Sequence, residues 1–293
     1  MSTIGQSSLF WLKASRPGLW FATGWLYLLP TSQSTELLST WTFWFGLFYT
    51  SFPLSLMVYG WNDAVDYETD ALNPRKDSFW FGARGTKAQL KAIWKPIMAT
   101  QFLTLPFLVW AGGWPVLIVF AGFLLINTLY NLPGRGLRGS PPFELLSQIG
   151  YLLVVPLSIY VNQLEQLPWQ TYAYLFLFAI QSHLIGEVMD IEPDRKVGRK
   201  TTATELGMVK TKFIIIGSVT TEVLLLFTVF KEWLFGGMLA FGIVWLLVDV
   251  LIIYKNKTYT KSQMELLAKA SNVIAIASII YVWLSGCLLQ IPA

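Results

Sequence analysis

Two short segments of the sequence concentrate acidic residues at spacings that suit metal binding. The first contains Asp63, Asp66 and Asp70, and the second contains Asp190 and Asp194. Residues three, four or seven positions apart share one face of a helix, so a helix continued through either segment would stack its aspartates. Stacked carboxylates repel one another and resist desolvation, and a bound cation removes that cost. The two segments therefore predict two carboxylate clusters that hold a cation.

Magnesium is the cation that these clusters favour. Mg²⁺ prefers carboxylate oxygens, retains some water and commonly bridges protein carboxylates to substrate phosphates. Zinc is disfavoured because the chain has one His and a single Cys that is distant in sequence from both clusters. The sequence thus predicts a Mg²⁺-dependent diphosphate site. Its expected metal ligands are Asp63, Asp66, Asp70, Asp190 and Asp194.

Two further ionisable residues, His183 and Glu187, share a helix face with Asp190 if the helix is continuous. They could contact an acceptor molecule or remove a proton from it. They could equally form an internal polar pair, and both interpretations remain open on the sequence. Pro193 fits poorly inside a regular helix, so the second segment is expected to leave the helix there.

The acidic clusters lie at the ends of long apolar segments. The chain is 54% hydrophobic and only 13% charged, whereas globular proteins average about a quarter charged, so a water-soluble domain of this size could not cover its surface. A helix that crosses a hydrocarbon core of roughly 30 Å needs about 20 apolar residues. Such segments lie near 17–35, 41–62, 93–110, 113–131, 143–161, 170–189, 212–230, 233–254 and 266–288.

The basic residues are distributed as the positive-inside rule requires. With a cytoplasmic N-terminus, all 21 Lys and Arg residues except Lys231 fall in or at the edges of cytoplasmic loops. The sequence predicts an all-α polytopic membrane bundle of about nine transmembrane helices, with the N-terminus cytoplasmic and the C-terminus outside. Residues 1–293 form a single predicted domain, with both acidic clusters facing the cytoplasm. The net charge of +4 follows from this topology, and we see no nucleic-acid-binding motif.

The two acidic segments resemble the aspartate signatures of the UbiA-type intramembrane prenyltransferases. The first signature is matched by Asn62-Asp63-x-x-Asp66-x-x-x-Asp70, after the second predicted span. The second is matched by Asp190-x-x-x-Asp194-x-x-x-Gly198, after the sixth predicted span. The nine-span arrangement with a cytoplasmic N-terminus also resembles that superfamily, so the resemblance covers nearly the whole chain.

A third segment, Tyr130 to Arg138, is similar to the Tyr-Ser-x-Pro-Pro-x-Arg-x-Lys loop of that family. Gly134 replaces the second proline, Gly136 stands where arginine is usual, and Arg138 replaces the lysine. Arg135, one position away, could compensate for the displaced arginine.

The resemblance implies a reaction and a role for each polar residue. An allylic isoprenyl diphosphate binds among the helices, Mg²⁺ held by the aspartates neutralises the departing pyrophosphate, and the prenyl group passes to a lipophilic acceptor. Catalytic roles are expected for Asp63, Asp66, Asp190, Asp194, Glu187 and His183. Contacts to the diphosphate are expected from Asn62, Arg75, Lys76, Arg84, Arg138, Arg195, Lys196, Arg199 and Lys200. Arg195 and Lys196 are favoured because they directly follow the second motif, and Trp61 and Tyr67 are candidates to line the cation site.

Several alternatives remain within and beyond this resemblance. The acceptor could be an aromatic quinone precursor or a carotenoid, and the runs from Asn73 to Lys76 and from Lys200 to Gly207 look closer to lycopene elongases. A UbiA-type terpene cyclase is a further alternative. An ion-coupled transporter is a distant one, because its charges would lie near the membrane midplane. Ordinary solvated loop charges are disfavoured because two clusters occur, both at cytoplasmic helix ends. The oligomeric state is left open.

Overall fold

The computed structural model describes residues 3–134 and 136–292, and within these residues it contains no β-strand, only one isolated bridge between Ser78 and Gly82. The all-α fold class is therefore confirmed for the described residues. The α-helices, numbered in chain order, are α1 Thr3–Ala14, α2 Trp20–Leu28, α3 Trp41–Ser51, α4 Pro53–Val65, α5 Tyr67–Leu72, α6 Lys87–Ala92, α7 Trp94–Gly112, α8 Pro115–Asn131, α9 Ile149–Leu152, α10 Val154–Asn162, α11 Trp169–Lys196, α12 Thr202–Leu206, α13 Met208–Thr228, α14 Trp233–Val248 and α15 Lys261–Ser285. Short 3-10 turns cover Pro17–Leu19, Leu29–Thr31, Thr35–Ser39, Leu137–Gly139 and Phe143–Gln148, and a π-helical segment covers Asp249–Ile253.

Six helical segments among the described residues are long and apolar enough to cross a membrane. They cover Lys87–Gly112, Phe143–Asn162, Trp169–Lys196, Met208–Thr228, Trp233–Ile253 and Lys261–Ser285. The helix α8 is also apolar but shorter. These segments mark an integral membrane protein, whereas the count of nine spans and the orientation of the termini stay predictions.

The first two predicted spans are interrupted in the structure. In the segment near 17–35, helix α2 is flanked by two 3-10 turns, each containing a proline. The segment near 41–62 is divided into α3 and α4 at Phe52, and Pro53 takes the first position of α4. Proline suits that position because its missing N–H would have no helical partner there. Neither segment therefore forms one helix of spanning length.

Exposed tryptophans mark the helix ends that lie away from the acidic motifs. The helices α8, α11 and α14 begin at or next to Trp114, Trp169 and Trp233, whose exposures are 70%, 73% and 69%. Trp110, near the end of α7, is exposed to 72%. Tryptophan is enriched where a membrane meets water. The pattern places one interface at these ends, opposite the ends of α4 and α11 that carry the motifs.

Contacts between helices close the bundle. The helix α11 packs against α13, which packs against α14, and α15 packs against α2. The helix α10 contacts α2, α3, α7 and α8 and so lies among them. The fully buried Tyr27 forms two hydrogen bonds between these helices. Its hydroxyl donates to the carbonyl of Phe43 and accepts from Nδ2 of Asn162. These bonds join α2, α3 and α10.

The second motif remains helical beyond the residue where the sequence predicted a break. Helix α11 continues through Pro193 to Lys196, so that prediction was wrong. Burial explains the difference, because Leu184, Val188 and Ile191 on the same helix are buried against α12 and α13. Tertiary packing of this kind overrides the local cost of a proline.

The first motif is helical with one interruption. Helix α4 ends at Val65 and α5 begins at Tyr67, so Asp66 lies at the junction. The backbone N–H of Asp66 still donates to the carbonyl of Asn62, and that of Asp70 donates to the carbonyl of Asp66, each at 2.9 Å. The i to i−4 spacing assumed for the aspartates is therefore kept across the junction.

Candidate active site

The carboxylate of Asp63 is buried in the last turn of α4, with a side chain only 2% exposed. Its Oδ1 accepts hydrogen bonds from Nη2 of Arg16 at 2.7 Å and from Nζ of Lys76 at 2.6 Å. Its Oδ2 is buried and has no hydrogen-bond partner within the described chain. Lys76 Nζ also lies 2.8 Å from Oδ2 of Asp70. One ammonium group therefore joins the first and last aspartates of the first motif.

The carboxyl of Asp70, in α5, is largely withdrawn from water. Burial raises the pKa of this carboxyl to about 6, Lys76 opposes the shift, and the charge of Asp63 adds to it. The charge of Asp70 therefore changes in the mildly acidic pH range.

Asp66 is held by three donors from different parts of the chain. Its Oδ1 contacts two guanidinium groups, those of Arg138 and Arg199. Its Oδ2 accepts from Nδ2 of Asn62 at 2.9 Å, and Asn62 also donates to Oδ1 of Asn131 at the end of α8 at 3.3 Å. Charge-assisted bonds are roughly twice as strong as neutral ones. Asp66 thus joins the end of α4 to two separate loops.

The second motif meets the first through the loop that follows α5. Asp190 accepts at Oδ1 from Nδ2 of Asn73 at 2.8 Å, and its Oδ2 contacts the Arg75 guanidinium. The Arg75 guanidinium also lies over the ring of Phe81, 5.0 Å from its centroid. The loop after the first motif therefore holds the first aspartate of the second.

A tight turn at the end of α11 brings Arg199 to both motifs. Gly198 adopts a φ of 71°, a left-handed conformation that glycine adopts without steric cost. The N–H of Gly198 donates to the carbonyl of Arg195 at 3.1 Å, and the N–H of Arg199 donates to the carbonyl of Asp194 at 2.9 Å. These two bonds define a Schellman motif. The turn directs the Arg199 guanidinium to Oδ1 of Asp194, at 3.4 Å, and to Asp66.

Arg199 remains cationic in this position. Burial acts to lower the pKa of its guanidinium, but the charges of Asp66 and Asp194 outweigh burial and raise the pKa above its ordinary value. Its Nη2 also donates to Oγ1 of Thr69 at 3.0 Å.

The five motif aspartates are accompanied by an equal number of cationic side chains. The cations that contact them are Arg16, Arg75, Lys76, Arg138 and Arg199. A buried charge is tolerable only when it is paired and hydrogen-bonded. The site is therefore a buried, charge-balanced assembly of both motifs.

Arg138 reaches Asp66 from the 3-10 turn at Leu137–Gly139, which follows α8. A Cβ at Gly136 would lie 2.4 Å from the carbonyl oxygen of Tyr130, so only glycine fits at this position without movement of the backbone. This close approach accounts for a glycine where the related loops carry arginine. Arg135 lies outside the described residues.

Other predicted phosphate contacts lie apart from the aspartates. Arg84 donates to the backbone carbonyl of Asn73 at 2.7 Å and so shapes the loop. Arg195 is exposed and donates to the carbonyl of Thr204 at 3.3 Å. Lys196 and Lys200 are exposed as well.

Glu187 lies one turn before Asp190 on α11, and His183 lies two turns before it. Nε2 of His183 lies 3.2 Å from Oε1 of Glu187, and the His183 ring meets the Tyr130 ring edge-on at 6.4 Å. The other oxygen of Glu187 accepts from the backbone N–H of Ala203 at 3.0 Å. The pair therefore lies on the face that carries the second motif, with Glu187 buried and His183 partly exposed.

The two aromatic residues singled out from the sequence pack elsewhere. The Trp61 ring meets Trp94 edge-on at 4.8 Å, and Tyr67 lies under the ammonium group of Lys87 at 5.2 Å. Both contacts place these rings among neighbouring helices and the loop before α6.

Sequence analysis missed Arg16 and Tyr59 as site residues. The Arg16 guanidinium lies 4.6 Å from the Tyr59 ring centroid, and the Tyr59 hydroxyl accepts from that of Tyr151 at 3.1 Å. No spacing rule relates a residue in the N-terminal arm to Asp63 on α4. Only the packing of α1 against α4 brings them together.

Comparison with known proteins agrees with this geometry. The family model described as "UbiA prenyltransferase family" matches residues 19–273. A lycopene elongase/hydratase of Corynebacterium glutamicum is 26% identical over 206 residues, which cover 67% of this chain and 69% of the relative. One from Haloarcula japonica is 26% identical over 249 residues, covering 82% of each chain.

A solved structure shows the same fold. The UbiA homologue of Archaeoglobus fulgidus bound to DMAPP and Mg²⁺ superposes with a TM-score of 0.71 at 17% identity, over 93% of this chain and 97% of the homologue. The family match covers most of the chain, both motifs included. The chain belongs to the UbiA prenyltransferase family.

Proposed function

We propose that this chain transfers a prenyl group from an allylic isoprenyl diphosphate to a carotenoid-like polyene within the membrane. The observation that carries the proposal is the convergence of both aspartate motifs on one guanidinium group, that of Arg199. The structure of a relative with DMAPP and Mg²⁺ bound in the same fold supports the donor. The names of the lycopene elongase relatives support the acceptor.

The side chains at the motifs fit a magnesium diphosphate. No group of three or more acidic, His or Cys side chains within the described residues is arranged to hold a metal alone. Mg²⁺ is commonly bound by one or two carboxylates together with substrate phosphates, so such a cluster is not required. The buried Oδ2 of Asp63 has no donor among the residues that the structure describes, and the proposed ligand atoms are all oxygens. The proposed ligands are Asp63, Asp66, Asp70, Asp190 and Asp194.

Bound Mg²⁺ would supply positive charge that stabilises the departing pyrophosphate. The chain's own contribution is its set of five cations, which contact the motif carboxylates. A diphosphate held between the motifs would offer phosphate oxygens to these guanidinium and ammonium groups, and arginine binds such oxygens in a bidentate manner. Asn62 donates to Asp66, and Arg84 donates to the backbone of the 73–76 loop, so both side chains stabilise this arrangement. Arg195 and Lys196 lie on the exposed side, where they could attract an anionic substrate.

The proposed reaction breaks one C–O bond and forms one C–C bond. The allylic C–O bond breaks and its electron pair leaves with pyrophosphate. A π-electron pair of the acceptor then forms the new C–C bond and leaves a cation on the acceptor. That cation either loses a proton to a base and forms an alkene, or takes up water, which loses the proton instead. The buried, apolar bundle keeps bulk water from the first cation.

We assign the base to His183, with Glu187 as its partner. The two side chains lie 3.2 Å apart, one to two helical turns before Asp190 on α11. A neutral imidazole next to a carboxylate can accept a proton because the carboxylate stabilises the resulting imidazolium.

We infer that the site opens toward the cytoplasm, in a single domain of nine spans with a cytoplasmic N-terminus. The basic residues around the motifs and the exposed tryptophans at the opposite helix ends both support this orientation. Two of the spans would then be the interrupted segments α2 and α3–α4.

Product analysis tests the proposal. Purified protein in lipid nanodiscs is incubated with Mg²⁺, dimethylallyl diphosphate and lycopene, and the extract is examined by mass spectrometry. The expected product is lycopene extended by a prenyl unit, with or without added water. A parallel reaction with a quinone precursor tests for an aromatic prenyltransferase, and one with geranylgeranyl diphosphate and no acceptor tests for a cyclase. Product only in either of those reactions would contradict the assigned acceptor.

A further inference from the structure

The first turn of α12 is held by two buried carboxylates that come from distant parts of the chain. Oε1 of Glu144 accepts from both the backbone N–H and the hydroxyl of Thr202, each at 2.6 Å. Oε2 of Glu187 accepts from the N–H of Ala203 at 3.0 Å. The exposures of Glu144 and Glu187 are 0% and 7%. Carboxylates at a helix N-terminus are favourable because the helix dipole is positive there.

The two carboxylates bond the N–H groups of Thr202 and Ala203, which the local capping of α12 leaves without a partner. Thr201 and Thr204 already form a reciprocal capping box, in which each side chain bonds the backbone N–H of the other. Burial of a carboxyl group is costly, and Oε2 of Glu144 is buried with no hydrogen-bond partner among the described residues. A buried polar atom of this kind calls for an explanation in addition to capping.

The bonds from Glu144 fasten together two loops that each deliver a guanidinium to Asp66. Glu144 lies in the 3-10 turn that follows the Arg138 loop, and the two turns pack on each other. Thr202 follows Arg199 by three residues. Two guanidinium groups that share one carboxylate oxygen repel each other. The bonds between Glu144 and Thr202 hold the two loops together and so oppose that repulsion.

The backbone of Arg199 is also held from both sides. Its N–H donates to the carbonyl of Asp194 on α11, and its carbonyl accepts from the hydroxyl of Thr204 on α12 at 3.3 Å. Displacement of α12 would therefore displace Arg199 directly.

We infer that Glu144 is a positioning residue for the proposed diphosphate site, a role that rests on the proposed function. By anchoring the first turn of α12, Glu144 keeps Arg199 next to Arg138 at Asp66. Glu144 contacts no motif aspartate itself and acts through Arg199. Loss of Glu144 should therefore weaken diphosphate binding only in a protein that still has Arg199.

The first test follows hydrogen exchange in the ligand-free protein. Glu144→Ala should increase exchange in the segment 199–206, whereas Glu144→Gln, which keeps an acceptor oxygen for Thr202, should stay close to the wild type. Glu222→Ala is the matched control, since Glu222 is also 0% exposed and bonds Gln181 on α11 at 3.1 Å, remote from α12. Unchanged exchange in Glu144→Ala, or an equal increase in Glu222→Ala, would overturn the inference.

The second test is a double-mutant cycle on binding of Mg²⁺-pyrophosphate, measured by calorimetry. Glu144→Ala should weaken binding about tenfold, as expected for loss of one charge-assisted contact. In an Arg199→Ala background the same substitution should change affinity less than about twofold. Additive effects would show a general structural role and overturn the inference. Should Glu144→Ala fail to fold, Thr202→Val removes one of the two bonds and should show the same coupling to Arg199.

The two tests separate the inference from the proposed function. If the wild-type protein does not bind Mg²⁺-pyrophosphate, the proposed function fails. The exchange result still decides whether Glu144 anchors α12.

Discussion

Asp66 and Asp194, which lie on different helices and in different motifs, contact the same guanidinium group, that of Arg199. Because one guanidinium group reaches both carboxylates, the two motifs lie close enough to share a single side-chain contact. The guanidinium also places a positive charge between carboxylates gathered at one place. A site that must hold a diphosphate and a divalent metal needs both features.

Arg199 should contribute to diphosphate binding more than to the fold. Arg199→Lys keeps the charge but loses the fork that reaches both carboxylates. We expect the KM for dimethylallyl diphosphate to rise about tenfold, in line with a lost charge-assisted bond of roughly 1.5 kcal/mol. The same substitution at the exposed Arg195 is the control and should change KM little. Equal effects at the two positions would show that Arg199 has no special role.

The turn at Gly198 should be necessary for that placement. Gly198→Ala puts a side chain at a φ of 71°, which costs about 1 kcal/mol. We expect a lower unfolding temperature in detergent together with an increased KM for the diphosphate. Gly217→Ala in α13 serves as the control, because its Cβ would meet nothing within 4 Å and alanine favours a helix. An unchanged KM in Gly198→Ala would show that the turn is not needed to place Arg199.

Mg²⁺ affinity should fall as the pH decreases through about 6. The pKa of Asp70 is raised to about 6 in the metal-free protein, so this carboxyl is ionised above that pH and protonated below it. Only the ionised form binds the metal. Calorimetric titration with Mg²⁺ between pH 5 and pH 8 should show this decrease, and the decrease should be weaker in Asp70→Asn. Identical pH profiles for the two proteins would exclude Asp70 as a ligand.

Arg16 should bind the diphosphate, although it lies in the N-terminal arm. Its guanidinium is 13% exposed and bonds Asp63 at 2.7 Å. We expect Arg16→Ala to weaken binding of Mg²⁺-pyrophosphate about tenfold. Lys13 forms an exposed pair with Asp77 at 3.0 Å, so Lys13→Ala should have little effect. Binding that is the same in both variants would limit Arg16 to a structural role.

The sequence predicted the features that depend on local spacing. The apolar segments, the aspartate spacings and the pairing of His183 with Glu187 follow from helical periodicity, which is short in range. The joining of α4 and α11 at one site followed from the resemblance of both motifs to one family. The break expected at Pro193 was wrong, because the buried face of α11 stabilises the helix past that residue.

Contacts between distant residues could not be read from the sequence in the same way. Arg195 and Lys196 were favoured because they follow Asp194 directly, yet Arg199 reaches the aspartates. The difference arises from the left-handed turn at Gly198, which reverses the chain only after α11 ends. Arg16 is one of the basic residues that the positive-inside rule explains, and no residue near it in the sequence indicates a contact with Asp63.

That both motifs hold one Mg²⁺-diphosphate is tested by calorimetric binding of a non-reactive dimethylallyl diphosphate analogue. The wild-type protein should bind the analogue in Mg²⁺ and lose that binding in EDTA. Asp63→Asn and Asp190→Asn, one from each motif, should each weaken binding at least about tenfold. Tight binding that persists in EDTA, or in either variant, would contradict the claim.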